Sequence, residues 1–153
     1  MRYMEISSQT KENIKAEYQK WIDYQYAGKS IKERQKLGAF FTPPELTIRM
    51  LEKYEDTNGS IIDPTCGAGG LLAAAIIAGF DPKLCYGIEL DNEILEKVTI
   101  PRLTQLGVPK ENLHHGDALN KDCWDFNIKD YKFENGKVTG SNKTCSFGAS
   151  IKK

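Results

Sequence analysis

Hydrophobic residues along this chain follow two different spacings. From about Ser8 to Gly28 they recur every three or four positions with charged residues between them, which predicts an amphipathic helix. Between Ile61 and Leu119, short apolar runs bounded by turn residues alternate with helical patterns. This alternation predicts an α/β fold with a parallel sheet and right-handed crossovers, preceded by an N-terminal helical extension.

Each of the three predicted strands leads into an acidic residue. The first strand begins at Ile61 and ends at Asp63, the second ends at Glu89, and the third runs into Gly116-Asp117. Because the carboxyl ends of parallel strands meet at one edge of a sheet, we expect the three acids to lie along that edge. A single acid at the start of a loop is usually only solvated, but three acids in phase with three strands predict a ligand site.

A glycine-rich loop joins the first strand to an apolar helical pattern. From Asp63 onward it reads Asp-Pro-Thr-Cys-Gly-Ala-Gly, a strand-loop-helix unit of the kind that holds a nucleotide-like cofactor. Gly67 and Gly69 let the backbone approach a ligand closely and take up positive φ. Glu89 lies 20 residues after Gly69, the separation at which the second strand of such a unit offers an acid to ribose hydroxyls.

The chemistry of this loop argues against a phosphate ligand. A dinucleotide site would have a third glycine or an alanine where Leu72 stands, and Asp63 would repel a pyrophosphate. An acid suits a cofactor that carries positive charge, such as the ammonium and sulfonium of S-adenosylmethionine. The alternative is a tight strand-to-helix turn without a ligand, because a lone Gly-x-Gly is a weak signal.

Composition narrows the class of protein. The 153 residues include 21 Lys+Arg and 21 Asp+Glu, so the formal net charge is zero. This length fits one domain, and the neutral balance means that any DNA-facing surface must be local or lie on another chain. No apolar run is long enough to cross a bilayer, and the first residues do not form a secretory signal. Four cysteines without Cys-x-x-Cys spacing indicate reduced thiols in a cytoplasm rather than a metal site.

Two helix starts can be predicted from local signals. The stretch Thr42-Pro43-Pro44 must be extended at first, because the residue before a proline avoids helical geometry, and Thr42 is the expected N-cap of the following helix. Asp91 is the expected N-cap of a later helix, which Pro101 limits or kinks.

The ordered motifs resemble a known family. The Thr-Pro element within Gly38–Glu45, the glycine loop, the strand ending at Glu89 and the strand leading to Asp117 follow one another in the order and spacing of S-adenosylmethionine-dependent DNA adenine-N6 methyltransferases. The chain is similar to the N-terminal, cofactor-binding part of the group in which the Thr-Pro element comes first. The match runs from about Gly38 to Asn120 and implies a Rossmann-like methyltransferase core with a partial parallel sheet.

The resemblance implies roles at the methionine end of the cofactor. It assigns the Thr42 loop to that end and places Asp63 near the amino group, directly or through water. It makes Cys66 part of the cofactor-binding loop, in which Gly67 and Gly69 permit close approach.

The resemblance also implies roles around the nucleoside. Glu89 would accept hydrogen bonds from the ribose hydroxyls, with Leu90 against the adenine. Asp117 would accept from the adenine amine, and Ala118 would give a backbone contact. No residue of this chain is assigned a catalytic or metal-binding role, and His114 and His115 are interpreted as strand residues.

The same resemblance divides the chain into three parts. Residues 1–36 are the predicted helical extension, and 37–120 are an S-adenosylmethionine-binding, Rossmann-like domain that is incomplete. Residues 121–153 are predicted to contain a β-hairpin, signalled by Asn135-Gly136, and a mobile Gly/Ser/Asn-rich stretch at 140–150.

The catalytic motif of the resembled family has no counterpart in the sequence. In that family an Asp or Asn followed by Pro-Pro and an aromatic residue binds the flipped adenine, whereas here the only Pro-Pro is Pro43-Pro44, between Thr42 and Glu45. With three predicted strands, the glycine-loop strand should lack a neighbour on one side. We therefore expect a fragment or one subunit of a split methyltransferase, with DNA contacted through another region and a second chain completing the sheet.

Two other interpretations stay open. The absent motif is also consistent with a non-catalytic cofactor-binding or docking protein derived from a methyltransferase. A methyltransferase that acts on protein glutamine or a small molecule fits less well, because the Thr42-Pro43-Pro44 element is not typical of that class.

Overall fold

A computed structural model describes residues 3–22, 30, 32–33 and 41–126, together with the backbone of 23–26, 131–134 and 137–140. The helices are α1 (Ser8–Tyr26), α2 (Pro44–Leu51), α3 (Gly70–Ala78), α4 (Asn92–Ile94) and α5 (Ile100–Gln105), with a π-helical turn (Leu95–Thr99) between the last two. The strands are β1 (Ile61–Asp63), β2 (Cys85–Glu89), β3 (Leu113–His115), β4 (Tyr131–Glu134) and β5 (Lys137–Gly140). Single 3-10 turns occupy Pro82–Leu84, Lys110–Asn112 and Lys121–Trp124.

The main sheet is parallel, with strand order β1-β2-β3. Ile61 of β1 pairs with Cys85 of β2, and Gly87 of β2 pairs with Leu113 of β3. The predicted α/β class with a partial parallel sheet is confirmed. Among the described residues β1 pairs only with β2, so the glycine-loop strand has one unpaired side, as expected from the three strand patterns.

Helices cover one face of this sheet. The core on that side joins Ile14 of α1 and Leu51 of α2 to Leu72 of α3 and to Ile61 and Cys85 of the strands. Five consecutive residues of α3, from Leu71 to Ala75, are buried, which explains why its sequence is apolar on nearly all sides. The predicted N-terminal helix therefore packs against the core, and Trp21 on it is buried.

The opposite face of the sheet is covered by the segment that follows β3. Phe126 packs against Ile62, Tyr86 and Ile88, and its ring stacks on that of His114 with the centroids 4.1 Å apart. Both faces of β1 are consequently covered, and its residues are buried although one edge of the strand lacks a partner among the described residues.

The start of α2 differs from its prediction. Pro43, not Thr42, occupies the N-cap position, with φ −68° and ψ 155°, and no side chain caps this helix. Proline supplies the extended cap geometry, and Pro44 in the first turn gives up no hydrogen bond because its missing N–H would have had no intrahelical partner. The hydroxyl that does bond here belongs to Thr47, which donates to the Pro43 carbonyl at 2.9 Å.

The next helix begins at its predicted N-cap. The Asp91 carboxylate accepts hydrogen bonds from the N–H groups of Glu93 and Ile94 and so caps α4. The helix continues beyond Pro101 after the π-helical turn, in which the Ile100 N–H donates to the Leu95 carbonyl. Pro101 therefore marks an irregular turn rather than the end of the helix.

The hairpin predicted from Asn135-Gly136 is present as the antiparallel pair β4 and β5, in which Glu134 pairs with Lys137. The predicted mobile stretch at 140–150 lies outside the described residues, apart from the backbone of Gly140. The boundaries 1–36, 37–120 and 121–153 stay predictions. Within the described residues, no helix combines the length and the apolar character needed to span a membrane.

Candidate cofactor site

The carboxyl edge of the main sheet brings the predicted acids together. Asp63 is the last residue of β1 and Glu89 the last of β2, while Asp117 lies in the loop just after β3. The strand register pairs Asp63 with Gly87 and Glu89 with His115, so Glu89 extends beyond Asp63 at this edge. His114 and His115 are strand residues, as predicted.

Asp63 is a buried acid. Its side chain is 6% exposed and accepts a hydrogen bond from the Thr65 N–H at 3.1 Å. Burial raises the pKa of this carboxyl to about 6, with a smaller rise from the charge of Glu89, while the hydrogen bonds from Thr65 lower it. A cation placed beside Asp63 would stabilise its ionised form.

The glycine loop has the backbone geometry that its sequence predicts. Gly67 has φ +52° and Gly69 has φ +86°, both in the left-handed region that favours glycine. Gly69 is also the N-cap of α3, and its N–H donates to the Cys66 carbonyl at 2.8 Å. A Cβ at Gly67 would lie 3.0 Å from the ring of Phe41, so the upstream element packs directly on this loop.

Glu89 fixes the glycine loop to the end of β2. Its Oε1 accepts from the Gly67 N–H at 2.9 Å, and its Oε2 accepts from the Asp91 N–H at 2.7 Å. A carboxylate has about four lone-pair sites, so each oxygen keeps capacity to accept from a ligand hydroxyl. The same side chain can therefore shape the loop and bind a ligand.

Leu90 and the loop after β3 form the other part of the edge. The Leu90 side chain is 69% exposed, and its carbonyl oxygen lies 3.1 Å from Nε2 of His115. Asp117 is exposed and accepts from the Leu119 N–H, which closes a tight turn. The Ala118 carbonyl accepts from the indole N–H of Trp124 at 2.8 Å, so the segment that follows this loop fixes its backbone.

The structure places two predicted residues in less direct positions. The thiol of Cys66 is buried, and a Cβ on Gly87 would meet its Sγ at 3.0 Å, so the side chain faces β2. Burial raises the pKa of this thiol well above its ordinary range. Thr42 is exposed, just after the Phe41 ring that contacts the loop.

Sequence reasoning missed Phe41, Thr99 and Arg102, which all contact the glycine loop. Phe41 had a usable signal as the aromatic residue of the Thr-Pro element. Thr99 and Arg102 contact the loop only through its backbone carbonyls, which no residue type marks. Among the described residues, no group of three His, Cys, Asp or Glu side chains is arranged to hold a metal ion.

A parallel sheet with an acidic carboxyl edge and a glycine-rich strand-to-helix loop defines the Rossmann-like class of cofactor-binding folds. Within that class the chain belongs to the N-6 DNA Methylase family, whose sequence profile matches residues 16–135.

Three curated relatives are similar to parts of this chain. The type II methyltransferase M.VspI of a Vibrio species is 32% identical over 90 residues, which are 57% of this chain and 22% of the relative. The methylase subunit of the type I restriction enzyme MjaIX of Methanocaldococcus jannaschii is 33% identical over 76 residues, 49% of this chain and 13% of the relative. The type II methyltransferase M.NspV of a Nostoc species is 30% identical over 94 residues, 60% of this chain and 19% of the relative. The chain thus spans less than a quarter of the length of each.

Proposed function

We propose that this chain is the S-adenosylmethionine-binding portion of a DNA adenine-N6 methyltransferase of a restriction-modification system. The observation that carries the proposal is that two carboxylates lie next to one glycine loop and differ in burial and in hydrogen bonding. Asp63 is buried and Glu89 is tied by both oxygens to backbone amides. A buried acid favours a cationic ligand group, and S-adenosylmethionine carries an ammonium at its methionine end. A carboxylate held in a fixed position favours hydroxyl donors, and the cofactor carries ribose hydroxyls at its nucleoside end.

Each end of the cofactor has residues of suitable chemistry. Asp63 would pair with the ammonium of the methionine moiety, with the Thr42 loop alongside it. Cys66, Gly67 and Gly69 would contribute backbone only, since the Cys66 thiol faces β2 and the glycines have no side chain. The bound cofactor would supply an activated methyl group on its sulfonium.

The nucleoside end would rest on the loops that follow β2 and β3. Glu89 would accept from the ribose hydroxyls, and the exposed Leu90 would pack against the adenine. The exposed Asp117 would accept from the adenine amine, next to the backbone of Ala118. The Trp124 indole that binds the Ala118 carbonyl would keep this loop in place.

The acceptor side of the reaction would lie elsewhere. The sequence has no Asp or Asn followed by Pro-Pro and an aromatic residue, so binding of the target adenine would fall to a further region or to a second chain. The unpaired side of β1 among the described residues supports a strand added there. The described cysteines are free thiols, in keeping with a reducing cytoplasm as the site of action.

Calorimetric titration with S-adenosylmethionine tests the cofactor assignment. The folded wild-type chain should bind saturably, with circular dichroism confirming the fold. Glu89→Gln should weaken binding by a factor of roughly 10 to 100, because hydrogen bonds to a charged group contribute roughly 1.5–3 kcal/mol. Glu96→Gln, an exposed change in the helical segment after β2, is the matched control and should bind like wild type. A folded wild-type chain that shows no saturable binding would disprove the assignment.

The missing catalytic tetrapeptide also favours a second candidate, a non-catalytic cofactor-binding or docking protein. This candidate predicts that the chain alone is a stable monomer, whereas an incomplete sheet should self-associate or aggregate through β1. Sedimentation velocity across a range of protein concentrations separates the two.

A further inference from the structure

Two buried polar side chains approach the glycine loop from the side of α5. Thr99 is the last residue of the π-helical turn and is 0% exposed, and Arg102, one turn further on, is 1% exposed. Neither residue belongs to the acidic edge described above. Polar groups this deeply buried lower stability unless they are hydrogen-bonded. Their hydrogen-bond partners therefore indicate which part of the structure these two side chains stabilise.

Each of them donates to one of two consecutive carbonyls of the glycine loop, and the Thr99 hydroxyl also lies 3.2 Å from the Ile94 carbonyl of its own helical segment. The Thr99 hydroxyl donates to the Gly67 carbonyl at 2.5 Å, and Nη1 of Arg102 donates to the Ala68 carbonyl at 3.3 Å. Peptide groups are planar, so fixing these two oxygens also fixes the directions of the N–H groups of Ala68 and Gly69. Glu89 accepts from the Gly67 N–H of the same loop. The loop is therefore hydrogen-bonded both to the end of β2 and to the helical segment that carries Thr99 and Arg102.

The helix sequence explains how both side chains reach the loop. Pro101 has no N–H and its ring would clash with a carbonyl of the preceding turn in a regular helix. The π-helical turn widens the helix just before it, and the Ile100 N–H bonds to the Leu95 carbonyl five residues back. Thr99 and Arg102 are three residues apart across this irregular turn, so they lie on one helix face.

The other end of Arg102 reaches the N-terminal helix. Its Nε donates to Glu17 Oε2 at 2.9 Å, and its Nη2 forms a second, short contact with Glu17 Oε1. Glu17 lies on α1 and is 14% exposed, so this ion pair is largely shielded from water. Removing one partner of such a pair leaves an uncompensated buried charge, which is strongly unfavourable.

We propose that Thr99, Arg102 and Glu17 are positioning residues that set the shape of the glycine loop, and that α1 thereby controls cofactor affinity through the Glu17–Arg102 ion pair. The part that concerns affinity rests on the proposed function. The N-terminal helix, predicted from its sequence as an extension, is in this view a component of the cofactor site.

The first test compares Thr99→Val, Thr99→Ser and Thr104→Val in the full 153-residue chain. Valine at 99 keeps the shape but removes the donor to Gly67, whereas serine keeps the donor. Thr104 is an exposed residue of the same helix whose hydroxyl also donates to a carbonyl, that of Ile100 at 2.6 Å, so Thr104→Val is a matched control. Thr99→Val should weaken S-adenosylmethionine binding about tenfold, since one hydrogen bond is lost, and the other two variants should bind like wild type.

A second readout does not depend on the cofactor. Hydrogen exchange of the Gly67 and Gly69 amides, measured by NMR well below the melting temperature, should be about tenfold faster in Thr99→Val than in Thr99→Ser, because loosening the loop by one hydrogen bond raises its open population by that factor. A role limited to global stability would shift the melting temperature without changing these local rates or the affinity of the folded chain.

The second test concerns α1. Glu17→Gln should accelerate exchange at Gly67 and Gly69 and weaken cofactor binding about tenfold, because the buried guanidinium loses its counter-charge. Glu12→Gln, an exposed change on the same helix at a residue that pairs with Lys15, should do neither.

The outcomes separate the two proposals. Equal exchange rates and affinities in Thr99→Val and Thr99→Ser overturn the positioning role, and equal results for Glu17→Gln and Glu12→Gln overturn the link to α1. A folded wild-type chain that binds no S-adenosylmethionine disproves the proposed function instead. In that event the exchange rates alone decide whether these residues position the loop.

Discussion

At the scale of single residues, the burial of Asp63 lowers the stability of the folded chain at neutral pH. The pKa of Asp63 rises from 3.8 to about 6 because burial disfavours the charged form. The folded state therefore holds the proton more tightly than the unfolded state does. Between about pH 4 and pH 6 the unfolded state loses its proton first, so the free energy of unfolding should fall as pH rises through this window and level off above it.

Replacement of Asp63 should make this cost measurable. Asp63→Asn should raise the free energy of unfolding at pH 8 by up to roughly 3 kcal/mol, the equivalent of the shift of about two pKa units, and should flatten the pH dependence between about 4 and 6. The amide oxygen can still accept from the Thr65 N–H. Urea unfolding at several pH values is the measurement.

The control for this prediction is Asp56→Asn, which changes an exposed carboxylate that accepts from the Asn58 N–H. It should leave the pH profile of wild type intact. If Asp63→Asn destabilises the chain at pH 8 and keeps the wild-type profile, Asp63 is not the residue that titrates in this window.

Residues of the site differ in how far the sequence alone could predict them. Asp63, Glu89 and Asp117 could be placed because the alternation of strands and helices fixes which edge of the sheet they reach. Thr99 and Arg102 could not, because the loop atoms they bond to are backbone carbonyls 32 and 34 residues away. A carbonyl exists at every position, so no residue type in the loop marks it as the partner.

At the scale of secondary-structure elements, the glycine loop packs onto β2 through Gly87. A Cβ at this position would lie 3.0 Å from Cys66 Sγ and 3.3 Å from a methyl of Leu113. The loop can therefore lie flat on the sheet only because β2 has no side chain there. Periodicity in the sequence predicted the strand, but it could not show that Gly87 leaves the space in which the Cys66 side chain of the loop lies.

Gly87→Ala should consequently lower the free energy of unfolding by roughly 1–3 kcal/mol, the usual cost of overpacking. The double variant Cys66→Ala/Gly87→Ala should recover part of that loss, because the nearest obstructing atom is removed. Gly70→Ala is the control, since the nearest atom to its Cβ is Arg102 Nη1 at 3.9 Å. Urea unfolding should show no recovery in the double variant if the clash lies elsewhere.

The helix after β2 shows the limit of rules based on single residues. Pro101 was expected to limit or kink it, and the helix does not end there but continues to Gln105 after a π-helical turn. Because proline has no N–H, a helix can end or kink at this residue, or it can widen into a π-helical turn just before it and continue. Here the helix continues, and Thr99 and Arg102 beside the π-helical turn contact the glycine loop.

At the scale of the whole molecule, the main parallel sheet is covered on both faces, and among the described residues the outer sides of its two edge strands, β1 and β3, pair with no other strand. The unpaired side of β1 could be predicted, because the sequence has only three strand patterns of the required kind. The packing of Trp124 and Phe126 on the second face of the sheet could not be predicted, because these residues show no strand or helix periodicity in the sequence. They lie in and just after the 3-10 turn that follows β3. The cofactor edge and the open edge of β1 are different parts of the sheet, so cofactor binding does not require that β1 gain a second partner.

The neutral charge of the chain leads to a last prediction, that cofactor binding and DNA binding are separable. Equal numbers of basic and acidic residues, 21 of each, leave little net attraction for a phosphate backbone, and the tetrapeptide that would hold a flipped adenine is not in the sequence. We expect the chain to bind S-adenosylmethionine but to bind an adenine-containing duplex no more tightly than about 10⁻⁴–10⁻⁶ M, the range typical of non-specific contacts. Fluorescence anisotropy at 50 and 200 mM salt, with heparin as competitor, measures this binding, and radiolabelled methyl transfer to the same duplex should stay at background. Tight binding with a steep salt dependence would instead place a DNA-recognition surface within these 153 residues, and the search for it would begin with basic side chains near the cofactor edge.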